Sequence, residues 1–311
     1  MRAFVLVGAV LAVVVVAAVV GTLGAGTDEA EAAPWTFGES MSQRRSYVAA
    51  ADIDGLVYAA GGMVGETGRP LDLLARYDPA TDSWETLQRM PEPVRAGAAA
   101  AVDGILYVTG GSTADGNITA VRAYDPDTDE WSERTPLPEP RFNHAAVALD
   151  GKIYVLGGFH EGEELRDVSV YDPEADTWSE GPQLPFPNHA FDAVAFDGEI
   201  WMIGGRRGDE ILDDVWILDP ATGEWREGPT MPKPMELLGA AVAGEEIHAV
   251  WESTYQIYDA ASGTWRDGPR SRVTRHGLQT FFVQGELVTI GGCTTQLRDS
   301  QVVERRVLQP R

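Results

Sequence analysis

The chain has 311 residues, with 48 aspartates and glutamates against 24 lysines and arginines and a formal net charge of -24 at pH 7. That balance excludes nucleic acid as a partner, because affinity for phosphate backbones comes from clustered positive charge, and it disfavours anionic membrane surfaces. The single cysteine, Cys293, rules out an internal disulfide, so stability must come from packing.

Only Lys152 and Lys233 are lysines, and acidic residues run along the whole chain rather than forming a tail. Such a composition suits a salt-loving organism, where carboxylates hold hydrated cations and salt screens their repulsion. An ordinary acidic secreted protein is the other reading.

In chain order, the first element is the uncharged apolar run Ala3 to Val20, preceded by Arg2 and followed by an acidic stretch, Asp28 to Glu31. Its length of about 18 residues fits either a cleaved export signal or an uncleaved membrane anchor. Ala30-Glu31-Ala32 resembles a small-x-small cleavage site. In both readings the arginine stays inside and the remainder goes out. Residues 1–33 are thus a signal or anchor with a short acidic linker, residues 34–311 form the folded domain, and the membrane is met only through the N-terminal segment.

From residue 34 onward one pattern recurs: Tyr77-Asp78-Pro79 to Trp84, Tyr124-Asp125-Pro126 to Trp131, Tyr171-Asp172-Pro173 to Trp178, Leu218-Asp219-Pro220 to Trp225, and Tyr258-Asp259 to Trp265. Diglycines accompany it at Gly61-Gly62, Gly110-Gly111, Gly157-Gly158, Gly204-Gly205 and Gly291-Gly292, each after a short apolar run. The tryptophans from Trp35 on stand 49, 47, 47, 47 and 40 residues apart, the period of a propeller blade. Asp54-Gly55, Asp103-Gly104, Asp150-Gly151 and Asp197-Gly198 lie between β-rich runs, as two-residue hairpins require. Each Asp-Pro pair predicts a further turn, and each tryptophan then opens an outer strand and fills the gap to the neighbouring blade.

The diglycine, the Tyr-Asp pair and the spaced tryptophan resemble the kelch repeat, and the resemblance covers residues 34 to about 308. It implies an all-β fold, a six-bladed β-propeller of four-stranded blades. Trp35 comes before any innermost strand, and the last copy lacks its own tryptophan. The segment Pro34 to Phe37 is therefore expected to supply the outer strand of the last blade and remove an open edge.

In such a blade, one face carries the variable loops, where binding chemistry usually resides. Arg44, Arg45, Arg69, Arg95, Arg141, Arg206, Arg207, Arg270, Arg272 and Arg275 map to that face. The resemblance implies partner binding through residues just before each innermost strand, which here are Arg45, Arg95 (or Val94), Arg141, Asn188, Met235 and Arg275. The implied partner is an extracytoplasmic protein or a carboxylate-bearing or glycan ligand, bound by a monomeric, non-catalytic module, since the guanidinium fork matches a carboxylate. The alternative use of these arginines is to bridge blades.

Blade five departs from the pattern, with Trp251-Glu252 where a diglycine is expected. There Trp251 could stack on a sugar at the channel mouth while Glu252 acts as acid, base or acceptor; a degenerate repeat that plugs its own channel is the other reading. A second functional class follows from architecture. The exported N-acetylneuraminate epimerases, sialic-acid mutarotases, are similar, and Glu252, Glu236 and the arginines could imitate their acid-base site. Among the histidines, His248 falls on a strand and reads as core, whereas His160, His189 and His276 lie near the loop face. No pair has metal-ligand spacing on one element, and no tyrosine is identified as a crosslink partner for Cys293, so neither metal nor cofactor is expected.

Overall fold

The computed structural model describes residues 34–65, 68–294 and 299–308. The apolar run and acidic stretch read as signal or anchor lie outside them. Among the described residues no helix is long and apolar enough to cross a membrane, and all regular structure is strand.

The described residues form six four-stranded antiparallel sheets, with three two-stranded ribbons in the loops between second and third strands. Blade 1 runs Ala49–Ile53, Leu56–Ala60, Leu74–Asp78 and Ser83–Thr86 from the axis outward. Blades 2 to 5 repeat this order, starting from Ala98–Val102, Ala145–Leu149, Asp192–Phe196 and Gly239–Ala243. Blade 6 takes Arg275–Val283, Glu286–Thr294 and Val303–Val307, and its outermost strand is Thr36–Gly38 from the other end of the described chain. Thr36, Phe37 and Gly38 pair with Arg305, Glu304 and Val303. The clasp expected at Pro34 to Phe37 is present, shifted by a residue or two. The innermost strand of each blade touches the next, and Arg275–Val283 touches Ala49–Ile53, so the ring is closed.

Side-chain alternation explains the cores. Ala49, Ala51, Tyr58 and Leu74 of blade 1 pack forward on Leu106, Val108 and Tyr124 of blade 2. Val48, Ala50, Val57 and Tyr77 pack back on Val283, Val288 and Ile290 of blade 6. Each sheet is covered on both faces, which is why its second strand reads as an uninterrupted apolar run.

The turns follow from their residues. Asp54 and Gly55 both have positive φ, 52° and 77°, and the other three Asp-Gly pairs match them, as the favoured two-residue hairpin demands. Blade 5 turns on Gly244 and blade 6 on Gln284-Gly285 instead. Between third and fourth strands, Asp78 Oδ1 accepts the Ala80 amide at 2.9 Å, and Asp125, Asp219 and Asp259 do the same two residues on.

The tryptophans tie one blade to the next. Trp84 Nε1 donates to Glu39 O at 2.9 Å, Trp131 to Gln88 O at 2.9 Å and Trp178 to Thr135 O at 2.9 Å. Trp225, Trp265 and Trp35 bond in the same way to Pro182, Pro229 and Pro269. In blades 1 to 3 the hydroxyl of the preceding tyrosine joins in: Tyr124 donates to Asp129 Oδ1 at 2.6 Å, and the same oxygen accepts the Gln88 amide of blade 1 at 3.0 Å.

Candidate functional site

The loops between blades converge on a ring of backbone hydrogen bonds around the axis. Tyr47, Ala96, Asn143, Ala190, Leu237 and Gly277 occupy one position of successive blades, and all have positive φ. Each N–H bonds to the carbonyl of the preceding blade: Ala96 to Tyr47 at 3.0 Å, Asn143 to Ala96 at 2.9 Å, Ala190 to Asn143 at 2.9 Å, Leu237 to Ala190 at 2.6 Å, Gly277 to Leu237 at 2.7 Å and Tyr47 to Gly277 at 3.2 Å. A left-handed conformation costs about 1–2 kcal/mol at a residue bearing a Cβ, so the bonds hold these residues in place. The ring forms the floor of the loop face.

Two residues before each ring member stand most of the arginines predicted to grip a ligand, and the structure corrects that prediction. Arg45, Arg141, Asn188 and Arg275 are 2%, 0%, 0% and 1% exposed, out of reach of a ligand. Each donates to the carbonyl of the first glycine of its own blade's diglycine: Arg45 to Gly61, Arg141 to Gly157, Asn188 to Gly204 and Arg275 to Gly291, at 2.7 to 3.1 Å. Arg141 also pairs with Asp167, and Arg275 with the fully buried Glu304 at 3.0 Å. Burial pulls the Arg45 guanidinium down to about 10. Val94 and Met235 fill the same place in blades 2 and 5 with apolar side chains, and Arg95 lies one residue further on.

The diglycines complete this joint. The first glycine of each pair faces the next blade's backbone: a Cβ on Gly61 would meet Val94 O at 2.3 Å, and one on Gly157 would meet Asn188 O at 2.6 Å. The second glycine donates across the gap, as Gly62 does to Val94 O at 2.9 Å. In blade 5, Glu252 takes over this bond, to Arg275 O at 2.8 Å, with φ 53°. Trp251 packs against the core cluster between blades 4 and 5, and it is absent from the residues lining the axial channel. The expectation that it stands at the channel mouth is therefore corrected, because the innermost strand lines the axis and Trp251 ends the second strand.

The remaining predicted residues stay on the loop face. Arg206 grips both carboxylate oxygens of Glu236 at 3.1 Å, and His189 lies 3.4 Å from Glu164, its pKa lowered chiefly by burial. His189, Arg206, Glu163, Glu164, Asp209 and Phe159 line a cleft of about 560 Å³ between blades 3 and 4. Glu236 thus faces blade 4, whereas the backbone amide of Glu252 bonds to blade 6. His276 pairs across the sheet with Cys293, whose thiol is pushed up by burial and by Asp299.

Charge on this face is divided. Arg44 and Arg69 are exposed and Arg95 is half-buried, and none has an ion pair with another described residue. They belong to the loops of blades 1 and 2, next to the exposed Arg270 and Arg272 leading into blade 6. Glu161, Glu163, Glu164, Asp209 and Glu210 make the sector of blades 3 and 4 acidic. Tyr47, in the ring, was not singled out from the sequence. Burial first, then Cys293 and Glu236, raises its hydroxyl to about 12, while Arg95 opposes them. It is a neutral donor at the border of the basic sector.

No group of three or more His, Cys, Asp and Glu residues that could hold a metal is gathered among the described residues. His248 is core, as expected, with Nδ1 2.6 Å from Tyr255 Oη.

A family profile described as "KLHDC2/KLHL20/DRC7 Kelch-repeats domain" matches residues 47–250. The chain is 35% identical over 86 residues to Kelch-like protein 33 of Homo sapiens, which is 28% of this chain and 16% of that protein. It is 34% identical over 62 residues to the F-box/kelch-repeat protein At1g30090 of Arabidopsis thaliana, 20% of this chain and 16% of that one. The matches thus span less than a fifth of those relatives. The solved structure of YjhT aligns with a TM-score of 0.76 at 17% identity, covering 87% of this chain and 97% of the other, which is a likeness of fold.

Proposed function

This chain belongs to the kelch-repeat family, and on that premise we propose a monomeric, non-catalytic binding module that works outside the cytoplasmic membrane and takes an acidic protein segment or an anionic glycan. The site is the basic sector of the loop face, over blades 6, 1 and 2. One observation carries the reading: in a molecule of net charge -24, Arg44, Arg69 and Arg95 are left without an acidic partner among the described residues, with Arg95 near the Tyr47 hydroxyl. A guanidinium with free donors in a fixed fork matches a carboxylate geometrically. The apolar run Ala3 to Val20 followed by acid supports the extracytoplasmic placement.

Titration calorimetry with hexaglutamate and with N-acetylneuraminate tests it. Wild type is expected to bind at least one of these anions, and Arg69→Glu with Arg95→Glu to weaken that binding at least tenfold, while Glu163→Lys in the acidic sector leaves it in place. Equal affinity in the arginine variant, or no saturable heat with either anion, overturns the proposal. Catalysed anomer exchange of N-acetylneuraminate, seen by NMR, would replace the binding module with a sugar-modifying enzyme.

A further inference from the structure

Asp299 lies between the second and third strands of blade 6 and is 9% exposed, and both of its oxygens reach into blade 1. Oδ1 accepts the Ser46 hydroxyl at 2.7 Å, and Oδ2 accepts the Gly65 amide at 2.6 Å. Gly65 follows the first strand of the blade 1 ribbon, in which Met63 and Val64 pair with Pro70 and Arg69. Ser46, itself fully buried, holds the inner end of the same ribbon through two backbone bonds with Met63, at 2.9 and 3.2 Å. The tie recurs between blades 3 and 4, where Glu164 Oε1 accepts the Gly208 amide at 2.7 Å. Gly208 and Gly65 each stand three residues after the second glycine of their pair.

The ribbon that Asp299 holds belongs to the basic sector. Arg69 is part of it. Arg95 of the next blade lies along it, with Nη1 3.7 Å from Met63 Sδ, and a Cβ on Gly68 would meet that same nitrogen at 2.3 Å. Two residue pairs are too few to keep a hairpin in one position unaided. The charge of Asp299 is felt here too: after burial, Cys293 and Glu236, it also raises the Tyr47 hydroxyl, which Arg95 lowers.

We propose, resting on the binding reading above, that Asp299 is a positioning residue of the anion site: it fastens the blade 1 ribbon to blade 6 and so holds Arg69 and Arg95 ready for an acidic ligand. A carboxylate that accepts a backbone N–H makes one of the stronger hydrogen bonds, and a loop already fixed in its bound shape loses little further freedom when the ligand arrives. Charge and position act here with opposite sign. By Coulomb attraction and repulsion alone, a carboxylate near the guanidinium groups opposes an anion, and its removal would tighten binding. As a tie, its removal loosens binding. Asparagine separates the two effects, because it carries no charge yet offers an acceptor to the Gly65 amide and a donor to Ser46 Oγ.

Calorimetry with hexaglutamate and with N-acetylneuraminate at fixed ionic strength, together with hydrogen exchange of the Gly65 amide followed by NMR, tests this. For whichever anion binds wild type, Asp299→Ala is expected to weaken binding at least fivefold and to speed Gly65 exchange at least tenfold. Asp299→Asn is expected to restore the slow exchange and to bind the anion as tightly as wild type or more tightly. Circular dichroism verifies that each variant is folded. Should Asp299→Ala not fold, Ser46→Ala, which frees one of the two ties, is expected to weaken binding twofold or more, and wild-type affinity in that variant overturns the proposal. A folded Asp299→Ala that keeps or gains affinity overturns it and leaves the binding reading standing, as does unchanged Gly65 exchange in that variant. No saturable binding of either anion to wild type overturns both.

Discussion

Trp35 Nε1 donates to the carbonyl oxygen of Pro269 at 2.9 Å across 234 residues of chain, and this bond joins blade 6 to blade 5. Its ring also meets Tyr255 edge-on, with centroids 5.4 Å apart. Trp35→Phe keeps the packing and removes the donor, so it is expected to cost about 1 kcal/mol. Trp35→Ala should cost about 3–5 kcal/mol through the void it leaves. Urea unfolding of both variants measures the difference.

The Arg275–Glu304 pair, 1% and 0% exposed at the side chains, predicts a coupled loss. Arg275→Met leaves a buried carboxylate uncompensated and should cost about 3–5 kcal/mol. Adding Glu304→Gln is expected to recover part of that cost. A double-mutant cycle in urea reads the coupling, and additive costs would contradict the pairing.

The repeat was legible in the sequence because its marks are local. Asp54-Gly55 needs only its own two φ angles, and each tryptophan stands a fixed seven residues after the first residue of the turn motif. The fate of the arginines was not legible in the same way, since what buries Arg141 or Arg275 is a carbonyl elsewhere in the blade. A signal was nevertheless present: Arg45, Arg141, Asn188 and Arg275 each precede the first glycine of a pair by 16 residues. A constant spacing to a diglycine marks a joint of the blade. Trp251 was placed at the mouth from its alignment with a diglycine, but that position ends a second strand and faces a neighbouring blade.

Asp192 predicts a dependence on pH. Burial raises its carboxyl to about 7, against about 3.9 in an unfolded chain. Between those values the folded state keeps a proton that the unfolded state has lost, so the contribution to stability falls as pH rises from about 4 to about 7 and is level above. Relative to Asp192→Ala, which does not titrate, wild type should therefore lose about 1–2 kcal/mol of stability between pH 4 and pH 8, allowing for the partial exposure of the residue. Urea titrations at the two pH values measure this.

The excess of acid, 48 carboxylate residues against 24 basic ones, predicts that salt stabilises the fold by screening repulsion. Tm is expected to rise by several degrees between low and molar potassium chloride. An unchanged Tm would make the composition that of an ordinary acidic protein.

Ring closure by the segment around Trp35 is what sets six blades about one axis and brings their loops to one face. Deleting Pro34 to Gly38 from the full chain and following thermal unfolding by circular dichroism tests it most directly. The expected result is loss of the cooperative transition at temperatures where wild type is folded; a deletion variant that melts cooperatively at the wild-type Tm would contradict it.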